Sequence, residues 1–323
     1  MEKPVIALAM GDPAGISPEL TAKVVALDEV RKAARVVVIG DRRVFDQGAK
    51  VAGVDSSLDD FVDLKHLDPA TIKRGVASKE GGASALANYR HALRMAADGK
   101  AGAVCFTPFN KQAMRLAHAS YEDEIGFTSD VLGFKGAATE FNILEGLWNA
   151  RVTSHIPLSK VSSSLSVDSI VQALELTATA LRAAGFEPPR IGVAALNPHA
   201  GDGGNFGREE IDIIEPAVRK AKAKGLPADG PYPADTVFVR AKAGQFNAVL
   251  TMFHDQGQIA MKLMGFDRGV TLLGGYPFPI CTPAHGTAYD IAGKGVANVG
   301  AARAALLLAA QMAQTALIPS GRA

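Results

Sequence analysis

Hydrophobic residues fall into two alternating patterns along this chain. Short apolar runs occupy Val5 to Met10, Arg35 to Gly40, Ala103 to Phe106, Arg190 to Leu196 and Ala248 to Phe253. Each is flanked by glycine, proline or polar residues, and their length predicts buried strands. Between them, Ser84 to Ala97, Ser166 to Ala184 and Arg208 to Lys224 carry apolar residues at spacings of three and four, the period of a helix with one buried face. Ala301 to Ala316, rich in alanine and leucine, predicts a further packed helix. Strands alternating with helices predict an α/β fold whose mainly parallel sheet is covered on both faces. The polar stretch Gly225 to Pro233 reads as a surface loop. No linker marks a domain edge; acidic Ala119 to Gly126 is the candidate the composition offers.

Composition narrows the function classes. The 323 residues suggest about two domains. Lys and Arg total 34 against 33 Asp and Glu, a net charge of +1, so no global field attracts nucleic acid or an anionic membrane. Cys105 and Cys281 lie far apart with no CxxC spacing, which predicts buried free thiols in a reducing cytoplasm. The first apolar run is too short for a signal peptide. No run approaches the ~20 residues that span a bilayer, and a soluble protein is expected.

Chemistry concentrates in a few segments. Gly11-Asp12-Pro13-Ala14-Gly15-Ile16-Ser17-Pro18-Glu19 follows the first strand, with Ser17 and Pro18 suited to open a helix. Backbone N–H groups of such a turn can receive an anion; a tight turn without a ligand reads equally well. Three of seven histidines share one topological position. His155 closes Arg151-Val152-Thr153-Ser154-His155, His199 stands in Asn197-Pro198-His199-Ala200-Gly201-Asp202-Gly203-Gly204, and His254 opens His254-Asp255-Gln256-Gly257. All follow strands, where open parallel sheets gather ligands, and three neutral imidazoles suit a divalent ion. His66, His91 and His118 have no supporting pattern. His285 opens the glycine-rich loop His285-Gly286-Thr287-Ala288-Tyr289-Asp290-Ile291-Ala292-Gly293-Lys294-Gly295-Val296-Ala297-Asn298, a nucleotide clasp without the GxGxxG pattern.

GDPAGISPE (Gly11 to Glu19), NPHAGDGG (Asn197 to Gly204), PADTVF (Pro233 to Phe238) and HDQG (His254 to Gly257) together resemble the 4-hydroxythreonine-4-phosphate dehydrogenase (PdxA) family, from about Pro4 to Gly300. The loop HGTAYDIAGKGVAN resembles the adenosine-binding loop of isopropylmalate dehydrogenases. The resemblance implies a two-domain isocitrate/isopropylmalate dehydrogenase-like fold. It implies a discontinuous NAD-side domain (1–128 plus 268–323) and a metal, substrate and dimerisation domain (129–267). It implies metal ligands His155, His199 and His254 at a homodimer interface, the third reaching across from the partner subunit. It also implies cofactor contacts from Gly11, Asp12, Gly15, His285, Gly286, Asp290 and Asn298. Asp290 would hold the ribose diol, favouring NAD over NADP. Substrate positions fall on Thr128, Lys262, Thr271 and Ile280.

Three positions, Phe127, Thr271 and Ile280, depart from the family pattern. Gly126-Phe127-Thr128-Ser129 stands where the family reads GHTE, Thr271 replaces an asparagine, and Ile280 replaces an arginine. Losing a histidine and an arginine removes charge-assisted hydrogen bonds of roughly 1.5–3 kcal/mol each. A divergent paralogue acting on another hydroxy acid is therefore expected. The reaction implied is NAD-linked oxidation of a secondary alcohol with one divalent ion (zinc, magnesium, manganese or cobalt), with possible loss of CO₂. Lys262 or Asp255 would take the proton, and Lys111 and Asp235 are further cleft candidates. A cis-dihydrodiol carboxylate such as terephthalate dihydrodiol, a phosphate acyltransferase of the same broad fold, and a non-catalytic ligand-binding module are the rival readings.

Overall fold

A computed structural model describes residues 3–58 and 60–317. Its contacts divide the chain into two units, Met1–Ala138 with Asp267–Ala323, and Thr139–Phe266. An edge after residue 128 would cut the helix Glu124–Leu132, and the contacts break after Ala138 instead. The acidic stretch Ala119 to Gly126 lies inside the first unit, because its Asp123 caps that helix by accepting from Gly126 N.

In the first unit the strands are β1 (Val5–Ala9), β2 (Arg35–Gly40), β3 (Phe61–Asp63), β4 (Ala103–Phe106), β10 (Val270–Gly274) and β11 (Ile280–Pro283). They lie in the order β3-β2-β1-β4-β11-β10, parallel except for β10 against β11. Successive side chains of a strand point to opposite faces, and β4 shows both faces covered. Val104 and Phe106 join Tyr89 and Leu93 of the helix Lys79–Ala97 in one core cluster. Cys105 turns the other way, to Ala305 of the helix Gly300–Leu317. Cys105 and Cys281 are free, fully buried and paired in register on β4 and β11, and burial pushes both thiols up.

In the second unit β5 (Thr139–Leu144) and β6 (Leu147–Arg151) form an antiparallel hairpin, and β7 (Ile191–Ala194), β8 (Ala228–Tyr232) and β9 (Ala248–Thr251) complete the order β5-β6-β9-β7-β8. β6, β9, β7 and β8 run parallel. The predicted surface loop Gly225 to Pro233 thus contains a strand: Ala228 to Tyr232 pairs along β7 at the sheet edge, where Pro231 lacks an N–H no ladder needs. The predicted helix Arg208 to Lys224 starts as a π turn, Glu210–Ile214, and becomes α-helical over Glu215–Ala223. Among the described residues, no helix is long and apolar enough to cross a membrane.

Candidate functional site

The three histidines stand beyond the carboxyl ends of adjacent strands, His155 after β6, His254 after β9 and His199 after β7. Two of them meet. The rings of His155 and His254 have centroids 5.7 Å apart, a separation compatible with two imidazoles sharing an ion at N–metal distances of about 2.0–2.1 Å. His199 does not join them within one chain; its ring lies 6.2 Å from that of Phe206. Among the described residues no three His, Cys, Asp or Glu form a metal-sized group.

Each residue of His254-Asp255-Gln256-Gly257 has a physical task. His254 Nδ1–H donates to Asp255 Oδ1 at 2.7 Å, which favours the tautomer whose Nε2 carries a free lone pair. Asp255 is thereby engaged with the imidazole and is better placed to orient it than to take a substrate proton. Gln256 ties two strand ends: its Oε1 accepts from Met252 N and its Nε2 donates to Ala195 O. Gly257 lies against the buried amide of Asn149, where a Cβ would come within 2.1 Å of Oδ1.

A part-buried polar network ends on Ser154, next to the other histidine. Arg151, at the end of β6, pairs with Glu140 and donates to Asn142 Oδ1 and Ser154 Oγ. Gln258, on the helix His254–Gly265, donates to the same Asn142. Burial lowers the Arg151 pKa, and Glu140 opposes that shift. Removing either partner would strand a desolvated charge, so this network fixes the approach to His155 and the His254 helix together.

His199 sits in a left-handed turn. His199, Ala200 and Asp202 have φ of 52°, 53° and 45°, with Gly201 and Gly203 also positive. Such a conformation costs about 1–2 kcal/mol for each L-residue. The turn is entered through Glu210, whose buried carboxylate accepts from Leu196 N, Asn197 N and Asn197 Nδ2.

The predicted cofactor residues all belong to the first unit. The turn Gly11–Ile16 offers no N–H to an anion, which corrects the expectation of a cradle. Gly11 N donates to Thr107 Oγ1, Asp12 N to Pro108 O, Ala14 N to Asp12 Oδ1, Gly15 N to Asp12 O and Ile16 N to Thr287 O. Its glycines serve close packing: a Cβ on Gly11 would lie 2.3 Å from two carbonyl oxygens, and one on Gly15 2.7 Å from Thr287 O. Asp12 is buried, and desolvation raises its pKa against the hydrogen bonds from Tyr289 and Ala14. In the loop, Gly286, Asp290 and Asn298 are exposed and His285 is half-buried. His285 Nδ1–H donates to Gly286 O, and Asn298 Oδ1 accepts from Gly300 N at the start of the last helix.

Two predicted substrate residues are corrected. Thr128 is 0% exposed, and its hydroxyl donates to Glu124 O and accepts from Tyr89 Oη. Ile280 is 0% exposed and shares a core cluster with Phe127. Phe127 in turn contacts the rings of Tyr89, Tyr121 and His118. Both positions are core, so neither side chain reaches a ligand. Thr271 is half-buried on β10. Lys262 is exposed on the His254 helix, about 12 Å along its axis from His254 at 1.5 Å per residue. Lys111 Nζ stands 3.6 Å from Glu124 Oε2, and Asp235 is exposed in the first turn of Ala234–Lys242. Sequence reasoning missed the supporting residues Arg151, Gln256 and Glu210. A buried charge betrays itself only by its partners, which lie 11 to 14 residues away in the first and last cases.

The family model for "Pyridoxal phosphate biosynthetic protein PdxA" matches residues 32–309. A Rhizobium meliloti protein named "Putative 4-hydroxythreonine-4-phosphate dehydrogenase 2" is 62% identical, over 97% of this chain and 94% of its own length. A Symbiobacterium thermophilum protein named "Putative D-threonate 4-phosphate dehydrogenase" is 35% identical, over 96% and 97%. The crystal structure of 4-hydroxythreonine-4-phosphate dehydrogenase from Klebsiella pneumoniae superposes with a TM-score of 0.85 at 32% identity, covering 97% of this chain and 99% of that one.

Proposed function

This chain belongs to the PdxA family, and on that premise we propose that it is a metal- and NAD-dependent dehydrogenase of a phosphorylated four-carbon hydroxy acid. The observation carrying the reading is the His155–His254 pair, with Asp255 fixing the donor atom of His254. In this reading those two imidazoles and the His199 of a second copy hold one divalent ion. The resemblance implies that the third histidine, His254, crosses between copies; we assign the exchange to His199 instead, because His254 already stands beside His155 in one chain and His199 does not. Exposed apolar side chains support a homodimer: Ile156 and Leu158 follow His155, Phe206 lies against His199, and Ile259 and Leu263 line the His254 helix. Leaving such side chains in water forgoes up to about 1.5–3 kcal/mol each.

When bound, the ion supplies Lewis acidity to the alcohol and NAD⁺ supplies the hydride acceptor. The chain's residues do the rest. Asp290 and Asn298 hold the adenosine end, and Lys262 binds the substrate and takes the hydroxyl proton, Asp255 being engaged by His254. Decarboxylation follows where the product ketone lies β to a carboxylate. The substrate names of the relatives support the class, and Phe127 and Ile280, being core, do not meet its anionic end.

Two experiments test this. Purified chain with NAD⁺, Mn²⁺ or Zn²⁺ and a set of four-carbon hydroxy acids, with and without a 4-phosphate, should produce NADH absorbance that a chelator removes. No turnover with any of them would refute the reading. Mixing His199→Ala and His155→Ala chains should restore one intact site per heterodimer, about a quarter of parental activity after random pairing. No recovery, or recovery with His254→Ala and His155→Ala instead, would refute the exchange of His199.

A further inference from the structure

The loop 285–298 has little regular structure of its own, only the 3₁₀ turn Tyr289–Ile291, yet it is pinned along its length by one segment. Glu19 and Lys23 lie four apart on the helix Ser17–Ala26. The Glu19 side chain is 2% exposed and accepts from Gly295 N at 3.2 Å and Ala297 N at 2.8 Å. Lys23 Nζ donates to Glu19 Oε1 at 2.7 Å, Gly295 O at 2.9 Å and Ala297 O at 3.0 Å, which uses every proton of the ammonium. At the front of the loop Tyr289 Oη donates to Asp12 Oδ2 at 2.5 Å, and Ile16 N donates to Thr287 O at 3.0 Å. Gly15 has no room for a Cβ against Thr287.

Positions 287, 289, 295 and 297 are therefore held, while Asp290 and Asn298 between and beyond them stay exposed. We infer that the segment Gly11–Lys23 is the latch of the cofactor loop, with Glu19, Lys23 and Tyr289 as positioning residues for NAD⁺. The inference rests on the reading of that loop as the NAD⁺ site. An unpinned loop would have to be ordered by the ligand, at the expense of affinity. The glycines of GDPAGISPE bring the turn against Thr107, Pro108 and Thr287, and its glutamate grips the loop.

The test is NAD⁺ titration calorimetry on the full chain, with KM measured separately for NAD⁺ and for the hydroxy acid. Lys23→Met should weaken NAD⁺ binding at least about tenfold and raise its KM in proportion, with the hydroxy-acid KM unmoved. Lys23→Arg, which keeps the donors, should stay within about threefold of the parent. Should Lys23→Met fail to fold, Tyr289→Phe removes only a hydroxyl and should still weaken NAD⁺ about threefold or more. Folded Lys23→Met or Tyr289→Phe chains that bind NAD⁺ as the parent does overturn the latch and leave the NAD⁺ reading standing. A parent that binds no NAD⁺ overturns the reading and the latch with it.

Discussion

Gly257→Ala is the smallest change that tests how His254 is held. The new methyl would sit 2.1 Å from Asn149 Oδ1 and 2.5 Å from its Cγ and Nδ2, well inside the 3.4 Å of ordinary contact. Asn149 cannot retreat: it is fully buried, and the two protons of its Nδ2 are shared among Ala150 O, Val249 O and Thr251 Oγ1. The start of the helix His254–Gly265 must therefore move by about 1 Å, an overpacking that costs about 1–3 kcal/mol. For a unit of this size that is a fall in Tm of about 3–10 °C. His254 moves with the helix, and metal coordination tolerates only about 0.2 Å, so Co²⁺ affinity should fall at least about tenfold. Thermal melts of the metal-free chain and Co²⁺ absorption titrations measure the two effects separately. Adding Asn149→Ala opens the space, so the double variant should recover at least about 1 kcal/mol relative to additivity. A Gly257→Ala chain with parental Tm and Co²⁺ affinity, or strictly additive effects, would refute the account.

Three further outcomes are expected. Ala200→Gly relieves a left-handed alanine (φ 53°); about 1–2 kcal/mol of relief less about 0.5–1 for glycine's added freedom leaves a gain near 0.5 kcal/mol in urea unfolding, and a loss of stability would contradict it. Asp255→Ala should cut Co²⁺ affinity about 10- to 100-fold while His254→Ala abolishes binding, and an unchanged affinity in the aspartate variant would remove its orienting role. Asp12, whose pKa burial raises, contributes stability that is complete below the ordinary carboxyl pKa and is lost as pH rises through its folded value. Urea unfolding from pH 4 to 8 should thus show the parent losing ground to Asp12→Asn as pH rises; a constant difference would place the carboxyl's pKa at its ordinary value.

Period and position in the sequence located the strands that carry the site. β1, β2, β4, β7 and β9 each appear as an uninterrupted apolar run, and the three histidines follow strand ends because a parallel sheet leaves only those ends open. The hairpin β5–β6 was harder to see, since Thr139 to Arg151 mixes Glu140, Asn142 and Arg151 with its apolar residues. Those polar residues form the network that ties the hairpin to Ser154 and to the His254 helix, so the feature that hides the strands is the one that supports the candidate site. β8 was hidden by Gly230 and Pro231, which an edge strand tolerates. Family position also fails where direction matters: Thr128 and Ile280 occupy substrate positions by resemblance, yet their side chains turn into the core.

The same ambiguity governs glycine. A glycine in a strand-to-helix turn can clear space for a phosphate or for another part of the chain, and nothing in Gly11 to Gly15 distinguishes the two. The distinction comes from counting N–H groups, all of which are spent inside the protein. A turn with no donors left cannot bind an anion by its backbone, but it can be rigid, and rigidity is what a loop without secondary structure needs from its neighbour. The histidine segments repeat this division: Gln256 and Arg151 hold the chain beside His254 and His155 by part-buried hydrogen bonds, whereas His199 projects from a strained, exposed turn. Strain of that kind persists only where the surroundings over-determine it, and here Glu210 supplies the constraint from beneath. On the proposed reading, a His199 that serves a second copy would gain from being pushed outward in this way, since an interface could then close on a ring already in place.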